Sequence, residues 1–306
     1  MIFQEREFKK LLIQEKQHCG RVQKNLQNFC TAYDCNHLKN IKLKELTMIE
    51  INKIYNEDCF ITMSKMDDAS IDIVMTSPPY NMTSRKGGIS DSGRYDVYED
   101  WKSTSDYIDF TVNLFSNFNR IVKENGVILY NFSYSIENPT LPYQLVSEIA
   151  NRTEWQIADT IIWKKSAGLP FPANERRLSR NWEFVWVFVR KNEINSFNCN
   201  KGVKSISEKS GQKYYNVFYN FVEAKNNDGK THGLNQATYS TELCSKLFNI
   251  YADKGYVVYD PFMGTGTTAN ACVLNELNYI GSEISEKQCE YANKRINLNE
   301  SKWEMQ

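Results

Sequence analysis

The apolar run Ile71-Asp72-Ile73-Val74-Met75 leads directly into Thr76-Ser77-Pro78-Pro79-Tyr80-Asn81. Two consecutive prolines fix φ and remove two backbone donors, so any strand formed by the run must stop pairing there. Carbonyls are left uncommitted beside a hydroxyl and an aromatic ring. A turn of this composition can receive a flat ring that bears an amino group.

A second signature comes far later in the chain, Val257-Val258-Tyr259-Asp260-Pro261-Phe262-Met263-Gly264-Thr265-Gly266-Thr267-Thr268, an apolar strand running into a glycine-rich turn and a helix. Around these two landmarks the pattern alternates. Residues 49–55 alternate like a half-buried strand leading into Asn56-Glu57-Asp58-Cys59, and Ile71 to Met75 reads as a buried strand. Apolar residues at helical spacing (Ile108, Val112, Phe115, Phe118, Ile121, Val122) predict a helix over 103–123, ended by Asn125-Gly126 before a strand over 127–132. A helix over 142–150 and strands over 157–163 and 184–189 follow. Order returns with a helix over 240–251, a strand over 256–260, a helix over 267–275, a strand over 279–283 and a helix over 285–297. Strands alternating with helices predict an α/β fold with a doubly wound, mainly parallel sheet.

The 306 residues suffice for one large α/β domain with an insertion and an extension. Its 37 basic and 37 acidic side chains cancel, so contact with nucleic acid must come from a local basic face. The eight cysteines form no CxxC pair and the chain opens on charged residues rather than a signal peptide. That pattern predicts a reduced, cytoplasmic protein. No apolar run approaches the roughly 20 residues of a membrane span, so no membrane partner is expected.

Residues 1–47 carry nine Lys or Arg against five Asp or Glu and read as a helical, basic extension. His18, Cys19, Cys30, Cys35 and His37 tempt a zinc reading, but their spacing fits no standard site and no metal is expected. From Lys191 to about Lys230 periodicity fades and Lys, Asn, Ser and Tyr dominate, as in an inserted recognition segment. Thr83 to Gly93, holding Arg85 and Lys86, reads as a mobile loop. The expected organisation is an extension (1–47), a first half (48–190), a recognition segment (191–231), a second half (232–298) and a tail (299–306).

In the glycine turn, Gly264 and Gly266 permit close backbone approach, and the N–H groups of the helix opening at Thr267-Thr268 suit a carboxylate. The methionine carboxylate of S-adenosylmethionine is such a group. Glu283, after the next strand, is placed to take two ribose hydroxyls, as in dinucleotide folds, or to start the following helix beside Ser285-Glu286. Asp58 is placed either to bind an adenine amino group or to cap a helix.

Taken together, Asn56-Glu57-Asp58-Cys59, Ser77-Pro78-Pro79-Tyr80, Asp260-Pro261-Phe262-Met263-Gly264-Thr265-Gly266-Thr267-Thr268 and Tyr279-Ile280-Gly281-Ser282-Glu283 resemble the motifs of the beta group of DNA amino-methyltransferases. The resemblance covers roughly residues 48–298. Trp163-Lys164-Lys165, Arg180-Asn181-Trp182-Glu183 and Phe188 look like the segment that follows the catalytic strands in that group. One departure is His232-Gly233-Leu234-Asn235-Gln236-Ala237-Thr238-Tyr239, where the family often has His-Pro-Thr-Gln-Lys-Pro. The resemblance implies a Rossmann-like fold with circularly permuted motif order, the catalytic half first, and target recognition between the halves.

It further implies transfer of a methyl group from S-adenosylmethionine to an exocyclic amino group of a base flipped out of double-stranded DNA. Ser77, Pro78, Pro79 and Tyr80 would form the catalytic turn, with the Ser77 side chain and the Pro78 carbonyl accepting the amino hydrogens and Tyr80 stacking on the ring. Asp58, Thr76, Asp260, Pro261, Phe262, Gly264, Thr265, Gly266, Thr267, Thr268 and Glu283 would line the cofactor. Serine at position 77 leans the reading to cytosine N4, with adenine N6 as the alternative. Lys201, Lys204 and Lys213, interleaved with Tyr214, Tyr215 and Tyr219, and the loop residues Arg85 and Lys86, are the candidate DNA contacts. A cognate restriction endonuclease and a homodimer are partners consistent with such an enzyme. Methylation of RNA or of a protein amide competes, as does an inactive DNA-binding regulator.

Overall fold

Asp72, the one charged residue inside the Ile71 to Met75 run, explains why the run can be a buried strand. Both its carboxylate oxygens lie 2.8 Å from the Lys123 ammonium, and one accepts the Val257 N–H at 2.8 Å. The charge thus opens the neighbouring strand instead of interrupting its own.

In the computed structural model the described residues are 49–81, 103–133, 138–167, 176, 178–229 and 238–303. The expected extension over 1–47 and the loop from Thr83 to Gly93 lie outside them. In chain order the elements are β1 (Lys53–Tyr55), α1 (Cys59–Lys65), β2 (Ile71–Thr76), α2 (Thr104–Ile121), β3 (Val122–Phe132), α3 (Leu141–Arg152), β4 (Trp155–Lys165) and β5 (Trp182–Arg190). Then come β6 (Val203–Ile206), β7 (Lys213–Tyr215), β8 (Phe221–Ala224), α4 (Thr241–Tyr251), β9 (Val257–Asp260), α5 (Thr267–Leu274), β10 (Asn278–Ser282) and α6 (Glu286–Trp303).

Eight strands form one sheet in the order β1-β10-β9-β2-β3-β5-β4-β8. The pairs from β1 through β3 are parallel, β5 is antiparallel to both β3 and β4, and β8 lies parallel to β4. Helix α2 packs on α1 and α3, and α5 packs on α4 and α6. Right-handed crossovers leading from β2 to β3 one way and from β9 to β10 the other put these two helix sets on opposite faces. The mainly parallel, doubly wound α/β sheet expected from the alternation is therefore present.

Winding reverses between β9 and β2, which register as Ile73 with Val258 and Val74 with Tyr259. Open α/β sheets bind ligands at the carboxyl ends of strands at such a reversal. Both signature turns emerge there.

Several elements depart from the expected bounds. Helix α2 stops at Ile121, and Asn125, at a φ of 60°, together with Gly126 forms an irregularity inside β3 instead of terminating the helix. A Cβ on Gly126 would meet the Asp72 carbonyl at 2.8 Å, so glycine is required by close approach to β2. The buried stripe of α2 centres on Tyr107, Thr111, Leu114, Phe115 and Phe118, with Ile108 only half-buried. The strand expected over 49–55 is ordered as a strand only from Lys53. Helix α6 runs on to Trp303, past the expected start of the tail. The segment read as a recognition insert contains a two-stranded ribbon, β6 with β7, and ends in β8, which extends the main sheet.

An aromatic ladder ties α2 to the sheet: Phe115 lies 5.4 Å from Tyr130 and 4.8 Å from Phe188, and Tyr130 and Phe132 stack on Trp186. It ends at Tyr80, 4.8 Å from Phe132, so the core leads directly to the first turn.

Candidate active site

Because β2 and β9 are neighbours, Thr76 and Asp260 finish side by side. The Thr76 hydroxyl donates to Asp260 Oδ1 at 2.8 Å, joining the two turns across 184 residues of sequence.

Pro78 and Pro79 are buried, and Ser77 and Tyr80 are half-buried. The buried Tyr107 hydroxyl donates to the Pro79 carbonyl at 2.5 Å. Among the described residues the Pro78 carbonyl has no donor, which leaves it available to an incoming amino group. The Tyr80 hydroxyl lies 2.9 Å from Ser77 Oγ, 2.9 Å from Asn131 Oδ1 and 3.0 Å from Glu183 Oε2. Asn131 is oriented by its Nδ2, which donates to the Phe184 carbonyl at 2.8 Å, and Glu183 pairs with the Lys165 ammonium at 2.5 Å. With Asn131 and Glu183 both acceptors, the single Tyr80 hydrogen goes to one of them. Ser77 then donates to Tyr80 and keeps its own lone pairs for a ligand.

The glycine turn is built differently. Gly264 and Gly266 have φ of 54° and 81°, and Gly266 starts α5 without a side-chain cap. A Cβ on Gly266 would lie 2.8 Å from that of Ala292 in α6. Small buried residues, Ala269, Ala271 and Cys272, let α5 sit between α4 and α6.

Asp260 is buried and accepts from Thr76, from the Phe262 N–H at 3.0 Å, from the Tyr239 hydroxyl at 3.0 Å and from Thr268. Burial raises its pKa above the ordinary carboxylate value, opposed by these donors. Burial likewise pushes the Tyr239 hydroxyl up, so it stays protonated and donates. Glu283 accepts the Gly264 N–H at 2.7 Å and the Ser285 N–H at 2.8 Å, which ties the end of β10 to the turn.

Pro261 and Thr267 are buried, and the half-buried Phe262 lies 6.2 Å from Phe110 of α2. Arg295 of α6 donates to the Thr265 carbonyl and to Thr267 Oγ1, and also reaches Asp228 and Thr241.

One atom tests whether this turn fits a cofactor. Thr265 Oγ1, on a residue 1% exposed, is a buried side-chain oxygen without a hydrogen-bond partner among the described residues. A buried orphan hydroxyl beside an uncapped helix start fits the polar tail of a bound group such as S-adenosylmethionine. Asp58 caps α1, accepting the Phe60 N–H at 2.8 Å through one carboxylate oxygen.

Arg85 and Lys86 lie outside the described residues. Lys201, Lys204 and Lys213 are exposed on or beside the β6–β7 ribbon and take no part in the hydrogen-bond network of the turns. Among the described residues no group of three or more His, Cys, Asp or Glu is placed to hold a metal ion, and no helix is long and apolar enough to cross a membrane.

Sequence reasoning assigned no role to Asn131, Lys165, Glu183, Tyr107, Tyr239 or Arg295. Glu183 and Lys165 did carry a signal: each is a charge at the end of an aromatic-rich strand, Trp182-Glu183-Phe184 and Trp163-Lys164-Lys165.

Comparison with known proteins agrees with this geometry. Residues 71–294 match the N6/N4 methyltransferase family model described as DNA methylase. The chain is 25% identical over 259 residues to the orphan methyltransferase M.BamHII of Bacillus amyloliquefaciens, covering 75% of this chain and 89% of that one. Among solved structures it resembles the PvuII DNA methyltransferase, described as cytosine-N4-specific, with a TM-score of 0.61 at 16% identity over 80% of this chain and 86% of that one. It also resembles the M1.HpyAVI–SAM complex, with a TM-score of 0.51 at 21% identity over 80% and 98% of the two chains. The family match spans both signature turns and the sheet that joins them, and the chain belongs to the N6/N4 DNA methylase family.

Proposed function

We propose that this DNA methyltransferase uses S-adenosylmethionine to methylate an exocyclic amino group of a base flipped from double-stranded DNA, with cytosine N4 as the target. The observation that carries the reading is the Thr76–Asp260 hydrogen bond, which holds an amino-receiving turn against a cofactor-type glycine turn. The order of the two turns along the chain corresponds to a circularly permuted arrangement.

S-adenosylmethionine, when bound, supplies an electrophilic methyl group on a sulfonium centre. Thr265, the start of α5 and Glu283 are the residues we assign to its methionine and ribose ends, and Asp58 to its adenine. An exocyclic amino nitrogen is a weak nucleophile because its lone pair is conjugated into the ring. Ser77 Oγ and the Pro78 carbonyl accept its two hydrogens and hold the lone pair out of that conjugation. Tyr107, by occupying the Pro79 carbonyl, leaves Pro78 as the turn's open acceptor. Tyr80 stacks on the base, its ring orientation set from within by the anchored hydroxyl. Stacking of about 1–3 kcal/mol offsets much of the extrusion cost.

Serine at position 77 and the fold shared with a cytosine-N4-specific enzyme support cytosine. The reading places the protein in the cytoplasm, at the nucleoid when bound to DNA, with a homodimer and a cognate endonuclease as its expected partners. Incubation with labelled S-adenosylmethionine and mixed-sequence duplex DNA should transfer label to the DNA. Mass analysis of the product nucleosides should then give N4-methylcytosine, and N6-methyladenine alone would refute the base assignment.

A further inference from the structure

We propose that Glu183 is the terminal proton acceptor of the reaction, reached from Ser77 through the Tyr80 hydroxyl. The inference rests on the amino-methylation reading above. Its basis is the unbroken chain Ser77 Oγ, Tyr80 hydroxyl, Glu183 Oε2, with links of 2.9 and 3.0 Å, closed by Lys165 on the other carboxylate oxygen at 2.5 Å.

Four features distinguish this chain from a simple anchor. The Tyr80 hydroxyl faces two acceptors, Asn131 and Glu183, where one would fix the ring. The Asn131 amide is no base, whereas Glu183 carries a carboxylate that can take a proton in the course of the reaction. The Glu183 side chain is only 13% exposed, so a proton taken from Tyr80 does not pass through bulk water. Finally, Glu183 stands at the start of β5, opposite Trp163 of β4, so the sheet itself fixes it at the edge where the turn emerges.

Methyl transfer creates the proton that this chain would remove. The nitrogen lone pair forms the new N–C bond while the electron pair of the broken C–S bond returns to sulfur, leaving a neutral thioether. As positive charge builds on the nitrogen, an N–H bond breaks in the same step with its electron pair returning to nitrogen. Its proton passes to Ser77 Oγ as the Ser77 proton passes to Tyr80 and the Tyr80 proton to Glu183 Oε2. The products are a neutral methylated amine and a neutral carboxylic acid, and the acid is restored by loss of its proton to water.

Glu183 touches no reacting atom, so the test must separate proton acceptance from positioning. E183Q keeps the shape and the hydrogen bond to Tyr80 but cannot hold the proton. Its single-turnover methyl-transfer rate on duplex DNA should fall about 10²-fold, at the low end of general-base effects, with DNA and cofactor dissociation constants unchanged. Y80F should lower the rate by a similar factor, and the double variant should fall no further, because one relay is broken twice. An E183Q rate equal to that of the unaltered protein, or additive losses in the double variant, would overturn the relay.

Should E183Q fail to fold, Lys165→Gln replaces it. Lys165 and Tyr80 are the titratable groups hydrogen-bonded to Glu183 among the described residues. Losing the ammonium frees the carboxylate that ends the relay, so the single-turnover rate should fall several-fold with DNA and cofactor dissociation constants unchanged, and an unchanged rate overturns the proposal. Absence of label transfer by the unaltered protein would overturn the amino-methylation reading itself, whereas normal transfer with an unaffected E183Q overturns only the relay.

Discussion

The two turns at the carboxyl edge of the sheet are held by different kinds of neighbour. The glycine turn takes its shape from its own backbone and from residues close to it: positive φ at Gly264 and Gly266, the Phe262 N–H on Asp260, and Glu283 at the end of the next strand. The Ser77 to Tyr80 turn has almost no local support. Its hydroxyls and carbonyls are organised by Tyr107 of α2, Asn131 of β3, Glu183 of β5 and, through Glu183, Lys165 of β4. The glycine turn is thus encoded nearly in one stretch, while the proline turn is assembled from four elements that must already be in place. Changes in the first should therefore act on binding, and changes in the second on turnover.

The largest effect is expected at Ser77. Ser77→Ala removes an acceptor for the amino group, so single-turnover methyl transfer should drop about 10²–10³-fold. Cofactor affinity by calorimetry should stay unchanged, and an equal loss of affinity would erase the distinction between the turns.

Gly266→Ala should do the reverse. A side chain at a φ of 81° costs about 1–3 kcal/mol, and here it also meets Ala292. Melting temperature and cofactor affinity should both fall, while any residual turnover at saturating cofactor stays near normal.

Asp260 belongs to both turns and sharpens the comparison. Its folded pKa lies above the unfolded value because of burial, so its contribution to stability is complete below the unfolded pKa and is lost as pH rises through the folded one. At neutral pH the buried carboxylate is a cost that function must justify. Asp260→Asn should leave the ligand-free melting temperature at pH 7 equal or higher and flatten its dependence on pH, yet weaken cofactor binding about tenfold. A sharp fall in melting temperature would mean that the four hydrogen bonds to the carboxylate outweigh its burial.

The smallest effect is expected far from both turns. Removing Lys204 or Lys213 from the exposed ribbon should weaken DNA binding a few-fold and lower the salt dependence of binding by about one unit each. Methyl transfer at saturating DNA should not change.

The fold and the glycine turn were legible in the sequence because they rest on short-range rules. Apolar periodicity marked the strands and helices, glycine marked the positive φ, and the resemblance gathered the motifs into one family. The irregularity at Asn125-Gly126 was misplaced because a dipeptide that ends helices also fits a bulge, and only the approach to Asp72 of β2 decides between them. For Asp58 the structure shows the cap on α1 that the sequence had left open beside cofactor binding. Glu183 and Lys165 lay unassigned because a charge at a strand end is ordinarily solvated, and Asn131 because an amide inside an apolar strand carries no local sign of which turn it will face.

By itself the sequence determined that two prolines end one strand and two glycines turn another, since φ restriction and φ freedom belong to those residues in any surroundings. Tertiary structure decided that the two strands are neighbours, that Thr76 meets Asp260, and that the Tyr80 hydroxyl joins Ser77 to Glu183. Contacts across 51 and 103 residues, such as those of the Tyr80 hydroxyl with Asn131 and Glu183, depend on sheet order and register, which only the packing of the whole chain selects.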